Sequence, residues 1–225
     1  MTDRTDSSRI LAKLRSLPAW NEWWNTLTVY KTSHGISCLV DTFKPHRLYQ
    51  LPVPMRSHQY YNFLGLTPVG RISDRVSFVG VQGKICVLKI ARFGHELKAL
   101  HTEIKAYGAL KMHGFTFAPK FLGYVYEEIK SRVIGFLMEA LNGRHPDMKD
   151  LEICKDAMLQ LHAVGVVHGD LNKYNIVIEG KKAKFIDFEA ATFRDDKNYA
   201  KLELEETIKL AQKLADASGV GDRGI

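Results

Sequence analysis

The stretch VVHGDLNKYNIVIEGKKAKFIDFEAA, Val166 to Ala191, decides how the rest of the chain is read. The runs Ile176, Val177, Ile178 and Phe185, Ile186 flank a Gly-containing reversal, Glu179-Gly180-Lys181-Lys182, so the segment predicts a β-hairpin. A hairpin returns the chain to the level at which it started. Asn175 stands at the foot of the outgoing strand and Asp187 at the foot of the returning one. The loop bearing Asp170 and the carboxylate of Asp187 are therefore expected to face one space. Two carboxylates and an amide oxygen suit Mg²⁺, which is usually held by one or two carboxylates plus substrate phosphates. Any one of these residues alone would read as turn geometry. The ordered set His168, Asp170, Asn175, strand, turn, strand, Asp187 weakens that reading.

This order, H-x-D-x-x-x-x-N, hairpin, D, resembles the catalytic loop and metal-binding motif of the protein kinase-like superfamily. LQLHAVGVVHGD, Leu159 to Asp170, resembles the end of the helix that leads into that loop. The resemblance implies an α+β, two-lobed fold, with a small β-rich N-lobe over a truncated, mainly helical C-lobe, and ATP and Mg as cofactors. It implies that Asp170 orients or deprotonates an acceptor hydroxyl, that Asn175 and Asp187 hold Mg²⁺, and that His168 shapes the loop from behind.

Upstream, LTPVGRIS, VSFVGVQ and KICVLKIAR read as three strands of a meander. Lys89, between Leu88 and Ile90, alternates to the face opposite theirs, ordinarily the solvent face of a strand. HELKALHTEIKAYGALKM carries Leu97, Leu100, Ile104, Tyr107 and Leu110 at helical intervals, with Glu103 beside that seam. By resemblance, Lys89 steadies the nucleotide phosphates and Glu103 braces it, with Glu96 as the alternative partner. The strands KFLGYVYEE and RVIGFLMEAL follow, the second resembling the hinge between lobes. Met138 would then back the adenine pocket, and the Glu139 carbonyl and Leu141 N–H would bond the base. Helices are expected at 150–164 and 199–216.

The expected organisation is an N-terminal extension at 1–65 packing on the kinase-like body, an N-lobe at 66–141 and a C-lobe at 142–225. In the extension, SSRILAKLRSL predicts an amphipathic helix, and Trp20, Trp23 and Trp24 form a stripe read as packing or as a docking site for a protein partner.

Four departures narrow the resemblance. The first strand pair has no G-x-G-x-x-G, so fewer backbone N–H groups can approach phosphates. Gly169 stands where protein kinases usually carry arginine, which argues against control by a phosphorylated activation loop. Glu189 stands where Gly usually follows Asp-Phe, adding a carboxylate near the metal. Only 38 residues follow Asp187, too few for a full peptide-substrate lobe. HGDLNKYN and IDFE look more like the minimal atypical RIO and KEOPS-type kinases and like small-molecule kinases of the choline and aminoglycoside kind.

Composition bounds the rest. With 45% hydrophobic and 25% charged residues the chain can bury an ordinary core. No apolar run reaches the ~20 residues of a membrane span, and MTDRTDSSR lacks signal-peptide character, so a cytoplasmic or nuclear, non-secreted protein is expected. Three scattered cysteines suggest free thiols rather than disulfides or zinc. A net charge of +7 favours polyanions, leaving nucleotide phosphates, RNA and acidic partners open. No RRM or KH pattern supports nucleic acid, and Lys181, Lys182 and Lys184 read as a solvated hairpin tip. The expected activity is ATP- and Mg-dependent transfer to a hydroxyl of a protein or small molecule. The alternatives are a nucleotide-binding pseudokinase scaffold and an ATPase of an RNA-modification or ribosome-assembly complex.

Overall fold

The computed structural model describes residues 12 and 15, 26–41 and 59–216. The expected helix at 7–17 and the tryptophan stripe lie outside the described residues, apart from Ala12 and Arg15, and so does the tail from 217. The chain divides into two compact units, Met1–Leu48 and Tyr49–Ile225. Within the first, β1 (Thr26–Thr32) and β2 (Gly35–Asp41) pair antiparallel around Ser33-His34. Thr32 Oγ1 donates to the Gly35 carbonyl at 3.0 Å, and Gly35 takes a φ of 121° that few side chains tolerate. The sequence reading had made no assignment for this hairpin.

The second unit is α+β with the protein kinase-like arrangement of a sheet lobe and a helical lobe. Its six-stranded sheet contains β3 (Gln59–Asn62), β4 (Thr67–Arg71), β5 (Val76–Val81), β6 (Lys84–Ile90), β7 (Phe121–Tyr126) and β8 (Val133–Glu139), in the order β3-β7-β8-β6-β5-β4. The meander β4-β5-β6 is antiparallel, as its Ser-Asp-Arg and Gln-Gly turns predict. β3 pairs parallel with β7, so the sheet begins before the expected residue 66. Helix α1 (Leu97–Met112) buries Leu97, Leu100, Ile104, Tyr107 and Leu110 on one face of the sheet. Val79, Cys86, Leu88, Val125, Ile134 and Leu137 form a separate core on the other face. Because both faces are covered, the alternation of β6 does not send Lys89 to solvent, and the lysine is 2% exposed.

The helical lobe holds α2 (Leu151–Ala163), the short β9 (Val166–Val167), β10 (Ile176–Glu179), β11 (Lys182–Phe185), β12 (Thr192–Phe193) and α3 (Tyr199–Ala215). β10 and β11 form the expected hairpin, turning at Gly180-Lys181. Its tip is not uniformly solvated. Lys181 and Lys182 are exposed, whereas Lys184 is tucked in and pairs with Glu179 at 2.7 Å and Glu139 at 3.8 Å. Cys86 and Cys154 are free and buried, and burial pushes the Cys154 thiol up to about 12. No helix among the described residues is long and apolar enough to cross a membrane.

One glycine sets how closely β8 approaches β6. A Cβ on Gly135 would run into the Lys89 carbonyl and the Ile90 Cα, both backbone, so neither can yield cheaply. Gly135→Ala is expected to lose about 1–3 kcal/mol of stability, the usual cost of overpacking. Denaturant unfolding checks it, and an unchanged midpoint would show that the strands separate without penalty.

Candidate active site

Lys89 is the centre of the site. Its ammonium lies 2.5 Å from Glu103 of α1, 2.7 Å from Asp187 and 3.2 Å from Glu189. A lysine cannot be buried in a sheet without partners, and α1 meets this need by directing Glu103, itself 0% exposed, into the cleft. Glu96, the alternative partner, instead accepts from the Arg92 and Phe93 N–H groups at the helix entry. Burial pulls the Lys89 pKa down, but the three carboxylates outweigh it and the net shift is upward, so the ammonium stays charged. Glu103 shows the other side of this sharing. Burial, with Asp187 and Glu189 nearby, raises its carboxyl despite Lys89, because one cation does not neutralise three acids.

Asp187 sits at the end of the hairpin in the left-handed region, φ 65°, a conformation a β-carbon residue adopts at some cost. Its neighbour Phe188 is fully buried, edge-on to Tyr107 of α1 with centroids 5.6 Å apart and tilted against His168 at 5.0 Å. The Phe188 N–H points to Glu103 Oε1 at 3.4 Å. These contacts hold the strained residue in place.

The loop before the hairpin is fixed from two sides. His168 Nε2 meets the Ile186 carbonyl at 2.9 Å, and Asp170 N–H points to His168 Nδ1 at 3.4 Å. Together they assign the proton to Nε2. Asn175 donates from Nδ2 to the Asp170 carbonyl at 2.8 Å and to Asp170 Oδ2 at 3.3 Å. Asp170 is exposed, while His168 is 0% and Asn175 7% exposed. Gly169 has φ 83°, and a Cβ there would strike the Ala190 carbonyl, so no arginine fits at this position.

Between the lobes a mostly apolar cleft is walled above by Ile72, Phe78 and Val87 and below by Val177 and Ile186. Met138, Glu139 and Leu141 line its edge, and the Tyr107 hydroxyl lies 3.2 Å from Met138 Sδ. Its apolar walls suit a planar nucleobase. Arg144, also on the wall, is held bidentately by Asp150 at 2.6 and 2.8 Å. The oxygen donors of Asp187, Glu189 and Asn175 are the hard set that Mg²⁺ takes. Ligand atoms of Glu103, Asp187 and Glu189 lie within 4.8 Å of one another.

Two residues that shape the cluster and its loop have no local signal in the sequence. Arg75 spans from the β4-β5 turn to Glu189. Glu206 of α3 accepts from the Gly169 N–H at 2.9 Å and the His168 N–H at 3.2 Å, and meets His162 Nε2 at 2.7 Å. Nothing local marks either residue, since their partners are far away in sequence.

A family model described as "RIO domain" matches residues 129–211. The KEOPS complex subunit Bud32 of Pyrococcus abyssi is 33% identical over 94 residues, 40% of this chain and 41% of that protein. A probable bifunctional tRNA threonylcarbamoyladenosine biosynthesis protein of Methanothermobacter thermautotrophicus is 40% identical over 52 residues, 22% of this chain and 10% of that protein. The chain spans less than half the length of these curated relatives. It resembles the minimal atypical kinase-like proteins of RIO and KEOPS type. The RIO match covers Met138 to Glu206 but not Lys89 or Glu103, whose pairing rests on the geometry above.

Glu206 generates a stability prediction. Burial pushes its carboxyl up, but the His162 contact, the nearby His168 ring and the Gly169 N–H outweigh burial, and the net shift is downward. A depressed carboxyl stabilises the fold above its unfolded value, about 4.3, and that stability is lost as pH falls through the lower folded value. Glu206→Gln should therefore cost about 1–3 kcal/mol at pH 7, with the deficit shrinking below about pH 4. Melting curves of both proteins across that range check it. A deficit independent of pH would mean that the charge of Glu206 contributes nothing.

Proposed function

We propose that this protein is an ATP- and Mg-dependent phosphotransferase, an atypical kinase that passes the γ-phosphate to a hydroxyl of a protein or small molecule in the cytoplasm or nucleus. The observation that carries this reading is the buried Lys89–Glu103–Asp187 cluster together with the Asp170–Asn175 pair, which is tied to it where the Asn175 carbonyl accepts from the Ile186 N–H at 3.0 Å, one residue before Asp187. A scaffold has no need for both a phosphate-facing cation and an exposed carboxylate held for an acceptor.

In this reading the adenine enters between Val87 and Val177, against the edge lined by Met138, Glu139 and Leu141. Lys89, kept charged by its carboxylates, meets the α- and β-phosphates, and Glu103 fixes its direction. Asn175 commits its amide nitrogen to Asp170, so its oxygen is the atom available to a cation, alongside Asp187. Mg²⁺ held there would neutralise negative charge on the phosphates. Asp170, exposed at the mouth and oriented by Asn175, accepts the proton of the acceptor hydroxyl or aligns it for in-line attack. His168 keeps the loop in register through Ile186 and is not the base. Catalysis is positioning and charge stabilisation. The names of the two relatives, a complex subunit and a probable tRNA threonylcarbamoyladenosine biosynthesis protein, favour a second reading, ATP hydrolysis within an RNA-modification assembly, by the same residues with water as acceptor.

Asp170→Asn tests the first reading. It should cost ~10²- to 10⁴-fold in phosphoryl transfer with Mg-ATP affinity retained, assayed with labelled ATP against protein and metabolite pools. Equal transfer in both proteins, or none in either, would sink it, and acceptor-independent hydrolysis in the wild type would select the ATPase. Asp187→Asn should instead weaken nucleotide binding in Mg and leave metal-free binding nearly unchanged, as read by calorimetry. Identical Mg-ATP affinity would remove Asp187 from the metal site.

A further inference from the structure

The turn between β4 and β5 occupies the place of a phosphate-gripping glycine loop, but its backbone is otherwise engaged. The Ile72 and Ser73 N–H groups both donate to the Val76 carbonyl, at 3.0 and 2.9 Å. The Arg75 and Val76 N–H groups both donate to Ser73 Oγ, at 3.3 and 3.2 Å. Four donors that such a loop would offer to phosphates are thus used inside the turn. What the turn offers instead is a guanidinium. Arg75 Nη2 and Nη1 grip Glu189 at 2.8 and 3.3 Å, and Nε donates to the Ile90 carbonyl at 3.1 Å, with Glu96 3.5 Å away.

The oxygen that accepts from Arg75 Nη2, Glu189 Oε1, also lies 3.2 Å from the Lys89 ammonium. One carboxylate therefore bridges two cations, in the bidentate geometry by which arginine takes carboxylate and phosphate alike. We propose that Arg75 is a second phosphate-binding residue, and that Glu189 holds its place in the nucleotide-free cleft until β- or γ-phosphate oxygens of a nucleoside di- or triphosphate displace it. The proposal rests on the phosphotransferase reading and deepens it, since it assigns the polyphosphate grip that the missing glycines leave open. Arg75 is a binding residue for the phosphates and takes no proton.

The test is calorimetric titration of the full chain with adenosine, AMP, ADP and ATP, in EDTA and in Mg, for wild type, Arg75→Ala, Arg75→Lys, Glu189→Gln and the Arg75→Ala/Glu189→Gln double variant. Arg75→Ala should weaken ADP and ATP by about tenfold or more, as for loss of a bidentate charged contact, and leave adenosine unchanged. Arg75→Lys should recover part of the loss. In EDTA, Glu189→Gln should tighten ATP, and the double variant should lose most of that gain, keeping only the part that a freed Lys89 supplies, so that a gain persisting undiminished is the contrary result. Equal loss of adenosine and ATP in Arg75→Ala would show a strut between lobes and overturn the proposal, as would unchanged ATP affinity or a Glu189→Gln gain that persists undiminished without Arg75. Should Arg75→Ala not fold, the response of Glu189→Gln to ATP in EDTA decides, and no tightening there overturns it. A wild type that binds no adenine nucleotide sinks the phosphotransferase reading itself, a result distinct from wild-type binding with Arg75 silent.

Discussion

The buried ammonium of Lys89 is the constraint from which the architecture of the site follows. A strand lysine with covered faces on both sides must be given acids, and they come from two other parts of the chain: Glu103 from α1, Asp187 and Glu189 from the turn after β11. Withdrawing one partner from a buried ionic cluster is strongly unfavourable, because the remaining charge has no water to turn to. The sheet, α1 and the helical lobe are thereby held in one register. The left-handed Asp187 fits this account. Strain of this kind persists only where the surroundings over-determine the residue, and Phe188, packed between Tyr107 and His168, does so from the next position.

The catalytic loop obeys a second, neutral constraint. Gly169 lies with its α-carbon against the Ala190 carbonyl, so this chain has room there for backbone alone. In kinases with arginine at that position a phosphate elsewhere can set the loop. Here Glu206 does so from behind, by accepting from the His168 and Gly169 N–H groups. The loop is positioned by the fold of its own lobe, consistent with a motif that departs from the arginine-containing pattern.

Much of this was legible because the chemistry is contiguous. His168, Asp170, Asn175 and Asp187 fall within twenty residues on a hairpin whose turn and strands carry ordinary β signals. The wall residues Met138, Glu139 and Leu141 were legible only through the resemblance of their strand end to a hinge, since a buried strand end reads the same. Lys89 shows the limit of local reading. Its period-2 position was read correctly, but burial depends on what covers the other face, and only α1 decides that. The parallel pairing of β3 with β7 and the grip of Arg75 on Glu189, 114 residues away, leave no local trace. Glu206 is one of several glutamates on an amphipathic helix, and nothing in the spacing separates it from Glu203 or Glu205.

The charge count of the cleft indicates how a nucleotide can enter at all. Lys89 and Arg75 face Glu103, Asp187 and Glu189, so the site as it stands is already more negative than positive, and a polyphosphate brings further negative charge. Entry is therefore an exchange of partners rather than an addition. On the phosphotransferase reading, the phosphates would take Lys89 and Arg75 more readily where Asp187 and Glu189 gain a cation in their stead, which is what a hard-oxygen donor set is suited to accept. Glu103, directed at Lys89 from α1 and fully buried, is the one acid that need not change partner. On that reading the ion cluster around Lys89 would make metal and nucleotide binding interdependent, and the arginine in the glycine-poor turn would supply the cation in place of the backbone N–H groups of a glycine loop.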